Sequence, residues 1–108
     1  MYIIKIAEDF SVTPGARHSS EGEYSGDEFR DTVLIPKYQE AINNGQKLTV
    51  DLDGCYGYAT SFLEESFGGM VRKLRLKGIL NHIELISTED ETLVDLIGKY
   101  VKEAEEKL

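Results

Sequence analysis

Two aspartates, Asp51 and Asp53, stand immediately before Gly54, and two adjacent hydroxyls, Thr60 and Ser61, follow on the far side of a short tyrosine-containing stretch. Paired carboxylates at the end of a strand can hold a magnesium ion beside a nucleophilic carboxylate, which is phosphatase chemistry. A hydroxyl at a helix start can instead carry a phosphate that faces backbone N–H groups and the positive end of the helix dipole. Such a phosphate adds roughly −1.5 to −2 charges and gives up the hydroxyl as a cap, so it is a switch and not a catalytic step. The plain alternative is that Thr60 and Ser61 only cap their helix. A third grouping lies upstream, where Arg17 and Arg30 bracket Gly22 and Ser25-Gly26. Gly-rich backbone donors with two guanidinium groups suit a phosphate, a nucleotide or a partner's carboxylate. Arginines in so acidic a chain also find ordinary surface carboxylates.

Cys55 follows Gly54 and has no His or Lys near it in sequence to lower its pKa, which fits an inert buried thiol. His18 and His82 are each isolated, with no second ligand at metal spacing, so no metal and no cofactor is expected. Tyr56 and Tyr58 flank the aspartates and read either as packing residues or as anchors for a partner.

The elements that must position these groups follow from periodicity. Residues 2–7 are β-branched and apolar with one charge, a strand, and Phe10 and Val12 alternate with polar residues as a short second strand would. Loop signals fill the stretch from Glu8 to Glu23, which includes Pro14-Gly15. Ser25 with Glu28 forms a capping box before a helical stripe of Phe29, Val33, Leu34, Tyr38, Ala41 and Ile42, and Asn43-Asn44-Gly45 stops it. Pro36 inside that stripe should kink or split the helix. Residues 47–53 form the strongest strand, and Ser61 with Glu64 predicts a second capping box. Gly68-Gly69 interrupts the helix behind it at a cost of roughly 1 kcal/mol per residue against Ala, which implies either close approach of another group or an early helix end. Residues 82–87 predict a further strand, and Thr88 with Glu91 predicts a third capping box ahead of a clean amphipathic helix. Strand and helix alternate throughout, so the fold class is α/β with parallel crossovers in a single domain over residues 1–108.

Composition narrows the function classes. The 108 residues carry 12 Lys plus Arg against 20 Asp plus Glu, a formal charge of −8. That balance disfavours duplex nucleic acid or an anionic membrane surface as the partner. No apolar run approaches the roughly 20 residues of a membrane span, and the first residues lack the basic region of a signal peptide. One cysteine allows no internal disulfide, so a cytoplasmic chain is expected.

Four stretches carry a resemblance: Pro14-Gly15-x-Arg17, Ser25-Gly26-x-Glu28-Phe29-Arg30, Asp51-x-Asp53-Gly54, and Ser61-Phe62-Leu63-x-Glu65-x-Phe67-Gly68. Through them, over nearly its whole length, the chain resembles the STAS-like domain family of small bacterial proteins. More distantly it is similar to the STAS domains of anti-sigma-factor antagonists. In those domains a strand reads Asp-Leu-Ser-Gly and a helix start reads Asp-Ser-Ser-Gly-Leu. Asp51 to Gly54 fall on the first motif and Ala59 to Leu63 on the second, which puts Ser61 on the phosphorylated serine. Ala59 replaces the motif Asp and Phe62 replaces its Gly.

The resemblance implies a small, mostly parallel sheet of about four strands with helices mainly on one face. It also implies a regulatory binding module, not an enzyme, docking on a histidine-kinase-like ATPase. The surface expected to meet that partner comprises Asp51, Asp53, Gly54, Tyr56, Tyr58, Phe62, Glu64 and Glu65, with Ser61, or Thr60 beside it, as the phosphorylation candidate. Arg17, Ser25, Gly26 and Arg30 form the alternative phosphate- or nucleotide-recognising loop. A third reading takes Asp51-x-Asp53-Gly54 as the nucleophile motif of a haloacid-dehalogenase-type phosphatase. Against it, the motif lies mid-chain, Cys55 follows it, and no downstream Lys and acidic pair completes a metal site. Oligomeric state is left open by all three.

Overall fold

Leu48, Thr49, Val50 and Asp51 alternate buried and half-buried, as the central strand of a sheet with one covered face must. The computed structural model describes residues 1–108. It places β2 (Leu48–Asp51) between β1 (Tyr2–Lys5) and β3 (Ile83–Ile86), all parallel, in the order β1-β2-β3. The register stacks Tyr2, Leu48 and Ile83 in one row and Ile4, Val50 and Leu85 in another. These rows face the core. The intervening row of Ile3, Thr49 and Glu84 points to the other side and is more exposed.

Parallel neighbours need crossover helices, and right-handed crossovers in a 1-2-3 order put those helices on one face. The first is α2 (residues 26–43) and the second α3 (residues 60–74); α1 (Ile6–Asp9) is a single turn after β1, and α4 (Thr92–Glu106) packs alongside α3. Phe29, Leu34, Phe62, Phe67, Met70 and Ile97 from these helices are fully buried over the sheet. Each such side chain contributes roughly 1.5–3 kcal/mol by leaving water.

The sheet has three strands where about four were expected, and the difference lies at Phe10 and Val12. β1 ends at Lys5, whose N–H is held by the Asp9 carboxylate at 2.8 Å, and the chain turns helical. Phe10 then packs on Phe29 and Phe62, with ring centroids 5.2 and 6.1 Å away, and does not pair as a strand.

Pro36 neither ends nor splits α2. A π-helical turn at Arg30–Leu34 precedes it, with the Ile35 N–H bonded to the Arg30 carbonyl, and the α-helix resumes at Ile35–Asn43. The wider turn sits where a proline both lacks its donor and crowds the preceding carbonyls. α3 contains a matching π-turn at Glu64–Gly68 and runs on through Gly68-Gly69, so the helix does not end early there.

Candidate functional site

The loop leaving β2 sits at the carboxyl ends of the strands, where parallel sheets gather their sites. Gly54 makes the turn possible: its φ of +96° is a conformation that side chains rarely adopt, and a Cβ there would lie 3.1 Å from that of Ala7. Asp51 accepts the Asp53 N–H at 2.9 Å. Asp53 in turn ties β2 to the loop after β3. Its carboxylate accepts the Thr88 hydroxyl at 2.6 Å, the Glu89 N–H at 3.0 Å and the Thr88 N–H at 3.2 Å. Led by the Thr88 hydroxyl, these bonds hold its pKa below the usual carboxylate range. Glu89 returns the link by accepting the Gly54 N–H at 2.6 Å.

Thr88 is therefore not the helix cap that the sequence pattern predicts. The Thr92 N–H at the start of α4 is met by the Asp90 carboxylate at 3.1 Å instead. A cleft of about 310 Å³ opens between the two loops, lined in part by Asp53, Tyr58, Glu89, Asp90 and Leu93. The sequence reading missed Thr88, Glu89 and Asp90 as site residues. Their signal was the acidic run after β3, which reads equally well as helix-dipole compensation.

Tyr56 is 88% exposed, whereas Tyr58 turns inward and donates its hydroxyl to the Leu52 carbonyl at 2.7 Å. Burial raises the Tyr58 pKa, helped by the Cys55 thiol 3.1 Å away, and burial likewise raises that of Cys55. An unactivated thiol is the result.

At the start of α3 the cap is Ala59, and Thr60 begins the helix, so the expected Ser61–Glu64 capping box does not form. Ser61 lies in the first turn, half-buried, and Thr60 beside it is exposed. Phe62 is 0% exposed and packs with Phe10, Phe29 and Tyr58, which corrects its expected place on a contact surface.

Glu64 and Glu65 are also not free contacts. Arg17 pairs with Glu64 and lies 3.4 Å from Glu65, Arg30 pairs with Glu65, and Arg72 reaches Glu64 at 2.7 Å. Glu65 is only 8% exposed. Arg72, then Arg17, pull the Glu64 pKa down against the opposing effect of burial. Gly68 and Gly69 leave room for this cluster: a Cβ on Gly68 would lie 2.6 Å from the Glu64 carboxylate, and one on Gly69 2.8 Å from that of Glu65, so these side chains would have to shift.

The same contacts correct the anion-loop expectation. Arg17 and Arg30 point at glutamates, and the backbone donors at the start of α2 are already taken. Gly26 N–H bonds the Ala16 carbonyl at 2.8 Å, Asp27 N–H bonds the Arg17 carbonyl at 3.0 Å, and Glu28 N–H bonds Ser25 Oγ at 3.4 Å, the serine half of the expected capping box. Gly26 lets α2 and α3 touch, since a Cβ there would sit 2.8 Å from the Phe62 carbonyl oxygen.

Residues 25–93 match the family model described as STAS-like domain of unknown function (DUF4325). The chain belongs to this STAS-like family. The match runs from the cap of α2 into the first turn of α4, so it contains β2, the cleft and the Ser61 helix start. Pro14 to Arg17 lie outside it. No curated protein and no solved structure matches the chain. In this STAS-like domain no helix is long and apolar enough to cross a membrane.

Proposed function

We propose that this STAS-like domain is a regulatory protein-binding module, in the manner of an anti-sigma-factor antagonist, that presents the start of α3 to a histidine-kinase-like ATPase. It performs no catalysis of its own on this reading. The observation that carries the proposal is Ser61 itself. Its hydroxyl lies in the first helical turn after β2 and bonds to no other protein group, while Phe62 behind it anchors the turn in the core. A phosphate at this position would meet the positive end of the α3 dipole and change the charge of the surface by roughly −1.5 to −2. The aspartates suit this role better than phosphatase chemistry, because both spend oxygens on holding loop backbone in place.

The test is affinity capture from the native host with three baits: the unaltered chain, Ser61→Ala and Ser61→Asp. A kinase-like ATPase should be retained by the first two and lost with Ser61→Asp. Incubation of the captured complex with ATP and magnesium should add one phosphate to the unaltered chain and none to Ser61→Ala. Equal recovery of the same proteins by all three baits, without phosphate transfer, would refute the proposal.

A further inference from the structure

Loop 54–58 is pinned to the segment after α1, since the Tyr56 N–H bonds the Val12 carbonyl at 2.9 Å and the Cys55 thiol reaches the Ser11 carbonyl. This backbone bond sets Val12, 40% exposed, next to Tyr56, 88% exposed. Beside them opens the cleft at the carboxyl ends of β2 and β3, whose wall carries Asp53, Glu89 and Asp90. No ion pair in the molecule involves these three residues. Their charge is balanced by nothing but N–H and O–H dipoles.

We infer that this rim is a docking surface for a basic segment of a partner protein, with an arginine side chain entering the cleft and an apolar side chain resting on Val12 and Tyr56. The inference deepens the protein-binding reading above and rests on it. Charge complementarity selects the occupant. Unpaired carboxylates in a walled cleft focus a negative potential, which repels nucleic acid and anionic headgroups and draws cations. A bare metal ion fits poorly, because no group of three or more ligating side chains converges. A guanidinium group suits the site: its planar fork of donors matches carboxylates at two edges, and its face can stack on the Tyr56 ring.

The probe is an acetylated, amidated peptide alternating leucine and arginine, titrated into the ¹⁵N-labelled chain, with a twin in which citrulline replaces arginine. Citrulline keeps the shape and loses the charge. The arginine peptide should shift the amides of Gly54, Tyr56, Gly57 and Glu89 saturably, and the citrulline peptide should bind about tenfold more weakly or worse. Glu89→Gln combined with Asp53→Asn, which removes the charge and leaves each side chain one acceptor oxygen, should weaken the arginine peptide similarly, while Glu84→Gln on the open sheet face should not. If the double variant folds poorly, raising the salt concentration with the unaltered chain reads the same charge dependence. Equal shifts from the two peptides, shifts scattered over the acidic surface, or no shift at all would overturn the inference. Because the peptide contains no ATPase and the readout ignores Ser61, this result and that of the capture experiment can fail separately.

Discussion

Two acidic regions of this molecule use the same residue types in opposite ways. Around Glu64 and Glu65, three arginines close on two carboxylates, glycines at 68 and 69 leave room for those charged groups, and Gly26 lets the two helices touch. At the carboxyl ends of β2 and β3, Asp53, Glu89 and Asp90 are oriented by hydrogen bonds and have no cation. The first region joins α2, α3 and the loop before them, with Arg30 and Glu65 nearly closed off from water, and serves cohesion. The second is open and oriented, with its charge unspent. A net charge of −8 describes both regions equally and distinguishes neither.

The contrast can be broken from its structural side first. Gly26→Leu drives a side chain into the Phe62 backbone and the Glu65 Cβ, neither of which can swing away. It should lower the urea-denaturation stability by about 3 kcal/mol, as overpacking at a rigid contact does. Glu65→Gln leaves Arg30 facing a neutral amide in a nearly closed site and should cost about 2 kcal/mol, less than full burial would imply because Arg30 keeps Asp31. Glu89→Gln in the open region should change stability by no more than about 0.5 kcal/mol in the same assay. Comparable losses from Glu65→Gln and Glu89→Gln would erase the distinction.

Acid offers a gentler probe of the same cluster. Arg30, then Lys73, bring the Asp31 pKa down to about 2, and Glu64 is lowered by Arg72 and Arg17. Carboxylates whose folded pKa is depressed add stability that is complete above their unfolded value and is lost as pH falls through the folded one. Melting temperature should therefore hold down to about pH 4.5 and decline between there and about pH 2, a loss of order 1 kcal/mol given how exposed these pairs are. An Arg72→Gln variant, less stable at neutral pH, should lose less stability over this range and finish its decline at higher pH, because the folded Glu64 pKa is then less depressed. A profile parallel to that of the unaltered chain would show that Glu64 draws nothing from this pair.

Local signals survived into the structure where one short segment contains its own reason. Ser25 caps α2 by accepting the Glu28 N–H, because both residues lie in a single turn. The strand at β2 and the stripe of α4 likewise follow from alternation and period alone. The other two capping boxes failed for different reasons, a distant partner in one case and a shifted helix start in the other. Thr88 is taken by Asp53, from 35 residues away, and α3 begins one residue before Ser61. The candidate site divides along the same line. Asp53, Gly54 and Tyr56 were legible from the turn they occupy, whereas the other wall of the cleft comes from the loop after β3. The motif alone puts Phe62 and Glu65 on the surface, because position along the chain does not say which way a helix is rolled.

The amino-acid order by itself determined an α/β chain of alternating strands and helices, the cap of α2, the strength of the central strand and the acidic character of the surface. Each of these depends on neighbours a few residues apart, where backbone geometry fixes what can meet. Only the tertiary structure decided which carboxylates are neutralised and which are left open. That depends on which loops the parallel crossovers bring together, and on Gly26, Gly68 and Gly69 allowing backbones and charged groups to approach where a Cβ would have held them apart.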